Sequence, residues 1–153
     1  NSGISYLDIH DNFALADQFG RNFDGRDSVY ENEYKIAVTL LYTTLGPIVT
    51  HGGSEIMRSK AHAPLREEVR TTKAGYNAYM HGYRDTYNHR TANTFVWEQV
   101  GQKPTGTNFN DYDNMYKFWR GWNTFRKSEY GKVFRQGEAV PEGYYKWFME
   151  CSW

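Results

Sequence analysis

Cysteine is nearly absent from this chain: Cys151 is the only one in 153 residues. An internal disulfide is therefore impossible and a zinc cluster built from cysteines is excluded, which leaves oxidising and reducing compartments equally open. Net charge is absent too, with 18 Lys plus Arg against 18 Asp plus Glu. A neutral chain lacks the basic surplus that draws proteins to nucleic acid or to an anionic membrane surface, so an uncharged partner fits it better. No apolar run approaches the roughly 20 residues of a membrane-spanning helix. The chain starts at Asn1 with neither an initiator Met nor a charged-then-apolar leader; any targeting segment is expected to have been removed or to lie upstream. Internal repeats, low-complexity tracts and linkers are also lacking.

Rings are what the chain has in excess. Its 13 Tyr, 9 Phe and 5 Trp make 18% of the residues. Most such rings fill cores, yet ring faces also stack on the apolar faces of sugars while the Tyr hydroxyl and indole N–H remain free to hydrogen-bond. With 39% hydrophobic and 24% charged residues, the composition is that of a folded domain.

Patterning along the chain gives an order of elements. Gly3 to Ile9 reads as a short strand with Ile4, Tyr6 and Leu7 as packing residues. Gly20 to Ser28 is rich in turn formers without periodicity and reads as a loop excursion. Helical spacing of Ile36, Ala37, Leu40, Leu41, Thr44 and Leu45 predicts a core-facing helix over Glu33 to Leu45, stopped by Gly46-Pro47. Ile48 to His51 is short, β-branched and bounded by glycines, as a buried strand is. Strand, helix and strand in that order suggest a βαβ unit. Met57 to Asp111 is poorly periodic, which points to a functional excursion or to small elements. From Asp113 to about Ser128, Met115, Phe118, Trp119, Trp122 and Phe125 mark one face of a helix that Asp113 or Asn114 caps. Val133 to Arg135 and Tyr144 to Phe148 read as strands of a following sheet.

The segment Tyr6-Leu7-Asp8-Ile9-His10-Asp11-Asn12 is the most informative. A β-type run that stops in a His-Asp-Asn corner is how barrel enzymes present catalytic groups, at the C-terminal ends of their strands. Such a barrel needs about 250 residues, so this chain is expected to be part of something larger.

Four motifs, in order, carry a resemblance. Tyr6, His10-Asp11-Asn12, Leu15 and Asp17 resemble the seventh-strand motif of glycoside hydrolase family 13, the α-amylase superfamily, in its pullulanase and debranching-enzyme branch. Gly46 followed by Gly53-Ser54-Glu55, continuing into Ile56-Met57-Arg58-Ser59-Lys60, is similar to the eighth-strand pattern and the Leu-Arg-Ser-Lys run of that branch. Asp85-Thr86-Tyr87-Asn88, with Asn93 and Trp97, resembles its Ser-Tyr-Asn loop and Asn-x-x-x-Trp ending. Tyr116 to Gly121, with Arg126-Lys127, resembles the eighth barrel helix. The similarity spans about Gly3 to Phe134.

The resemblance implies an α/β fold: strands 7 and 8, with their helices, of a (β/α)8 TIM barrel. Residues 1–130 would be the last quarter of the catalytic domain and residues 131–153 the start of a C-terminal β domain. It implies a retaining α-glucan hydrolase acting on starch, glycogen or branched dextrins. The nucleophilic Asp and acid/base Glu of the family belong to strands four and five, outside this chain, and Asp8, Asp17 and Glu55 do not match those motif positions. By the resemblance, Asp11 is the third carboxylate, which stabilises the positive charge of an oxocarbenium-like transition state. His10 would donate a hydrogen bond to the same sugar, Asn12 would line the neighbouring subsite, and Tyr87 and Asn88 would border the groove, with Trp97 beside them. Without the other motifs, Asp11 and His10 would read as turn residues.

Departures from the family pattern matter as well. Pro47 directly follows Gly46 where Gly-x-Pro is usual, the Tyr-Asn loop is one residue shorter, and Thr91 and Thr94 stand where the branch often has a glucose-contacting Asp and Arg. They weaken a specific assignment to pullulan. Glu55 reads as a structural residue; Arg58 and Lys60 read either as contacts to sugar hydroxyls or as partners of Glu55 and Glu67, and a solvated ion pair is the better reading. No cofactor is expected; Asn108, Asn110, Asp111 and Asp113 offer oxygens of the kind Ca²⁺ takes, but without a known loop spacing, and helix capping is the better reading. The histidines lack the i, i+4 spacing of a helical zinc site. The expected partners are an α-glucan and the remainder of the barrel, with no nucleic acid and no membrane span. Long glucan substrates favour a secreted or cell-surface setting, although cytoplasmic relatives exist. Two further readings stand beside the hydrolase: a non-catalytic carbohydrate-binding or structural fragment of the same family, and an α-glucan transferase, in which a sugar instead of water attacks the intermediate.

Overall fold

The computed structural model describes residues 3–23, 26–60, 87–88, 90, 93–106, 108–136 and 143. Two segments distant in sequence lie side by side and parallel, bridged at Ser5 and Ile48. Ser5 N donates to Pro47 O at 3.1 Å and Val49 N donates to Ser5 O at 2.9 Å. The strands expected over Gly3 to Ile9 and Ile48 to His51 thus meet in one bridge instead of an extended ladder. Parallel strands are stable only when both faces are covered, and here Ile4, Tyr6 and Val49 are exposed, not packed.

Between the two segments runs a crossover, as any parallel pair requires. It starts with a one-turn helix α1 (Leu15–Gln18), then strands β1 (Gly20–Phe23) and β2 (Arg26–Val29). These pair antiparallel with Gly20 opposite Val29 and Phe23 opposite Arg26. The expected loop over Gly20 to Ser28 is therefore a hairpin. Backbone pairing between the two strands outweighs the low apolar periodicity of this stretch.

Helix α2 (Glu31–Tyr42) follows. Its inward face is Tyr34, Val38, Leu41 and Tyr42, whereas Ile36, Leu40 and Leu45 are exposed. The predicted helix is present, but its buried stripe is rotated from the expected one. Two apolar stripes compete on this helix, and the one bearing the two large tyrosines is inward, where each gains ring contacts. Tyr34 meets Phe19 edge-on at 5.8 Å, and Tyr42 meets Trp119 edge-on at 5.7 Å and stacks on Trp122 at 6.0 Å.

Helix α3 (Tyr112–Lys127) packs across α2. Its cap is Asp111, whose side chain accepts from Asn114 N at 2.8 Å; Asp113, one residue inside, pairs instead with Lys117 at 2.6 Å. Tyr112, Met115 and Trp119 are buried, Phe118 and Trp122 pack on the core from its rim, and Phe125 lies outside it. Together with Leu15, Ala16, Val29, Tyr34, Val38, Tyr42 and Met57 the three buried residues form one core cluster. The Asn108–Tyr112 segment is stitched to the hairpin and α2: Asn110 Oδ1 accepts from Val29 N at 2.9 Å, and Glu31 Oε1 from Asp111 N at 2.7 Å.

The chain then turns at Gly131 into a one-turn helix α4 (Lys132–Arg135). Val133 to Arg135, expected as a strand, is helical because its bonds are local, such as Phe134 N to Gly131 O at 3.1 Å. Tyr144 to Phe148 lies outside the described residues. Arg126 ties this end to the rest: its guanidinium donates to the carbonyls of Tyr42, Thr44, Gly46 and Phe134. Among the described residues no helix is long and apolar enough to cross a membrane.

Candidate functional site

The His10-Asp11-Asn12 corner lies just beyond the bridged segment, in a turn closed by Asn12 N donating to Ile9 O at 3.2 Å. His10 and Asp11 project outward, their side chains 66% and 56% exposed, and His10 Nε2 lies 3.2 Å from Asp11 Oδ1. Tyr87 meets the His10 ring edge-on at 6.0 Å. The structure thus brings together three of the residues singled out in the sequence. Asn12 is exposed as well, but its Oδ1 accepts from Phe13 N at 2.9 Å and so serves the turn. Asn88 is exposed beside Tyr87. Trp97 is 72% exposed and packs against Phe95, ring centroids 4.4 Å apart.

A polar layer that sequence reading missed lies underneath. Asp8, only 3% exposed, accepts from Leu15 N at 2.9 Å and from Ser54 Oγ at 2.9 Å, with His51 Nδ1 at 3.6 Å. Asp17 accepts from Ser59 Oγ and from Lys60 N, the latter at 2.9 Å. Lys60 is fully buried, and its ammonium donates to His10 O at 2.7 Å and to Asn12 O. Arg58 Nε donates to Gly52 O at 3.2 Å and its Nη2 lies 3.3 Å from both ring nitrogens of His51. Tyr34 completes the layer from α2, its hydroxyl donating to Ser54 O at 2.6 Å.

Arg58 and Lys60 are therefore not solvated ion-pair partners. Burial lowers the pKa of each, and for Lys60 the nearby Arg58 charge lowers it further, while Asp17, Asp8 and Asp11 oppose the shift. Burial, reinforced by the Asp8 and Glu55 charges, raises the Tyr34 hydroxyl well above its ordinary value. Such a layer is stable only because nearly every group is paired. Arg58 Nη1 is an exception, buried without a hydrogen-bond partner among the described residues.

The backbone that shapes this layer is unusual. Gly53 has φ +98°, and a Cβ there would sit 2.7 Å from Arg58 Cδ. Met57, with φ 51°, adopts the left-handed conformation despite its side chain. Glu55 serves the turn, as its placement in the sequence suggested: Oε2 accepts from Gly53 N at 2.9 Å.

Chemically, the corner offers an exposed carboxylate beside an imidazole, on a turn fixed from below. Asp8 and Asp17 are committed to main-chain N–H groups and serine hydroxyls, so Asp11 is the carboxylate the corner presents to solvent. Among the described residues no group of three or more His, Cys, Asp and Glu could hold a metal ion. Asp111 caps α3, and Asn108 Oδ1 accepts from Asn110 N at 3.1 Å while its Nδ2 donates to Asn110 O at 3.0 Å. Comparison of the chain with protein-family models, with curated proteins and with solved structures found no match.

Sequence gave little sign of the layer. Asp8 sits between Leu7 and Ile9, and Lys60 follows an apolar pair, Ile56-Met57, by three residues. The clue was an acid inside a strand-like run, but the Ser54, Lys60 and His10 groups that tie the layer together lie 43 to 50 residues from their partners.

Proposed function

We propose that this chain is the closing quarter of a (β/α)8 barrel and that the complete protein is a retaining α-glucan hydrolase of the pullulanase-like kind, with Asp11 as its transition-state-stabilising carboxylate. The observation that carries the reading is the Ser5–Ile48 bridge: two parallel segments joined through a helical crossover, with Asp11 exposed just past the end of the first. That is the end of the strand at which such barrels keep their chemistry. The four motifs in order agree with it.

Exposed apolar side chains fit the same reading. Ile4 and Tyr6 at one segment, Val49 at the other, and Ile36 and Leu40 on α2 are open to solvent in this chain. Further strands and helices of the same barrel would cover them and continue the sheet on both sides. The partner in assembly is thus the remainder of the barrel, and the substrate an α-glucan.

In the reaction, glycosidic cleavage builds positive charge on the sugar ring, and a carboxylate fixed beside that ring favours the transition state over the ground state. Asp11 takes this part. His10, paired with it at 3.2 Å, donates to sugar hydroxyls at the same subsite, and Tyr87 packs behind His10. The nucleophile and the acid/base come from outside this chain, so the isolated chain should turn over no glucan.

The test is hydrolysis of amylopectin and pullulan by the complete polypeptide, with the anomeric configuration of the first product followed by NMR. Release of α-anomers supports the reading; β-anomers, or no cleavage together with unimpaired glucan binding, would replace it with an inverting enzyme or a binding module. Transfer to an added acceptor sugar in preference to water would make it a transferase.

A further inference from the structure

Lys60 is the least expected residue in the site. A fully buried ammonium loses its hydration, and the folded chain must return strong acceptors to it. Here the acceptors are the carbonyl oxygens of His10, at 2.7 Å, and of Asn12. They belong to the residues on either side of Asp11. One cation therefore grips the main chain both before and after the exposed carboxylate. The Lys60 backbone is itself anchored, its N–H donating to Asp17 Oδ2 at 2.9 Å, with Ser59 Oγ on the other oxygen of the same carboxylate. Asp17 lies in α1, and the start of α1 is held in turn by Asp8.

We infer that Lys60 is a positioning residue for Asp11: its buried ammonium clamps the His10 and Asn12 carbonyls and so fixes the direction in which the Asp11 carboxylate faces a glucan. This rests on the functional reading above. A corner of three polar residues on an exposed turn would otherwise sample several backbone conformations. A carboxylate that must meet charge developing at one ring position needs a fixed one, since small misplacements of a catalytic group are costly in rate. Lys60 does not touch the substrate. It acts through the backbone, by way of the two carbonyls that flank the carboxylate.

Two alternatives make different predictions. If Lys60 only fills space, an apolar isostere will serve as well. If it only stabilises the Asp17 cluster, disturbing that cluster from another side will have the same effect.

The experiment uses the complete polypeptide with the variants Lys60→Met and Ser59→Ala. Lys60→Met keeps the length of the side chain and removes the ammonium; Ser59→Ala loosens the Asp17 cluster and keeps it. Hydrogen exchange at the Asn12 amide and the steady-state hydrolysis of a soluble maltooligosaccharide are read for each. The expected result for Lys60→Met is exchange at least about tenfold faster at Asn12 and a kcat lower by about 10²-fold, with KM changed by less than about threefold. Ser59→Ala should lower Tm and leave kcat near the wild-type value. Unchanged exchange in Lys60→Met overturns the clamp. Faster exchange with unchanged kcat overturns the positioning role, as does an equal loss of kcat in Ser59→Ala.

Should Lys60→Met not fold, the wild-type protein still decides the clamp. Its Lys60 ammonium protons are expected to give a slowly exchanging ¹⁵N-correlated signal, and a signal lost to solvent exchange at pH 6 overturns it. A wild-type protein without α-glucan activity overturns the functional reading and the positioning role with it, whereas Asn12 exchange still tests the clamp itself.

Discussion

The Ser54 hydroxyl donates to Asp8 Oδ2 at 2.9 Å, joining residues 46 positions apart at the ends of the two bridged segments. The same oxygen accepts from Leu15 N at 2.9 Å, so one buried carboxylate fixes the first segment, α1 and the Ser54 turn together. Replacing Asp8 by Ala strands two buried donors. Chemical denaturation should show a loss of about 2–4 kcal/mol, and a loss below about 1 kcal/mol would mean that water or a neighbouring group substitutes for the carboxylate.

Arg126 holds the far end of the molecule. Its two terminal nitrogens donate to four carbonyls, two of them at the C-terminal end of α2, where a cation also meets the negative end of the helix. Arg126→Met should cost about 3 kcal/mol because those carbonyls lose their donor. Arg126→Lys should recover only part of it, since an ammonium cannot span the same four acceptors. Equal stability of the Lys variant and the wild type would contradict this account.

Gly131 is required by space and not by conformation. Its φ is −89°, open to any residue, yet a Cβ would fall 2.3 Å from Phe125 O and 2.6 Å from Arg126 Cα. Backbone cannot move aside as a flexible side chain can. Gly131→Ala should therefore destabilise by about 1–3 kcal/mol, checked by urea titration, and a neutral substitution would show that the turn after α3 relaxes freely.

Alkaline pH should unfold the protein through its tyrosines. Burial raises Tyr34, Tyr42 and Tyr112 above the ordinary value of 10.0. Above that pH the unfolded chain releases protons that the folded chain retains, so the folded state loses about 1.4 kcal/mol per pH unit for each such group. Lys60 works in the opposite sense: its pKa is lowered from 10.5, so its burial becomes less costly as pH approaches that value. Three tyrosines outweigh one lysine. Tm should fall between pH 10 and 11, and less steeply in Tyr34→Phe; a flat or rising Tm would contradict the burial of these hydroxyls.

How much of this was legible in the sequence depended on how local the signal was. Helices α2 and α3 were visible because apolar spacing is a property of neighbouring residues. Which stripe of α2 points inward was not, since Ile36 and Leu40 are as apolar as Tyr34 and Val38, and only packing against Trp119 and Trp122 decides between them. The hairpin over Gly20 to Val29 was hidden by turn-forming residues, and the helical turn at Lys132 by β-branched and aromatic content. At the site, His10 and Asp11 stood out as a motif. The layer of Asp8, Asp17, Arg58 and Lys60 did not, because a buried charge is intelligible only with its partners, and those that join Asp8 to Ser54, Asp17 to Lys60 and Lys60 to His10 are distant in sequence.

The central claim is that Asp11 acts on a glucan in its transition state, and turnover of a soluble α-glucan by the complete polypeptide, wild type against Asp11→Asn, tests it most directly. The side chain is exposed and accepts no main-chain hydrogen bond from the described residues, so the substitution should leave Tm unchanged while kcat falls by about 10²- to 10³-fold. Near-normal turnover by a folded Asp11→Asn variant would contradict the account and return His10-Asp11-Asn12 to the status of a surface turn.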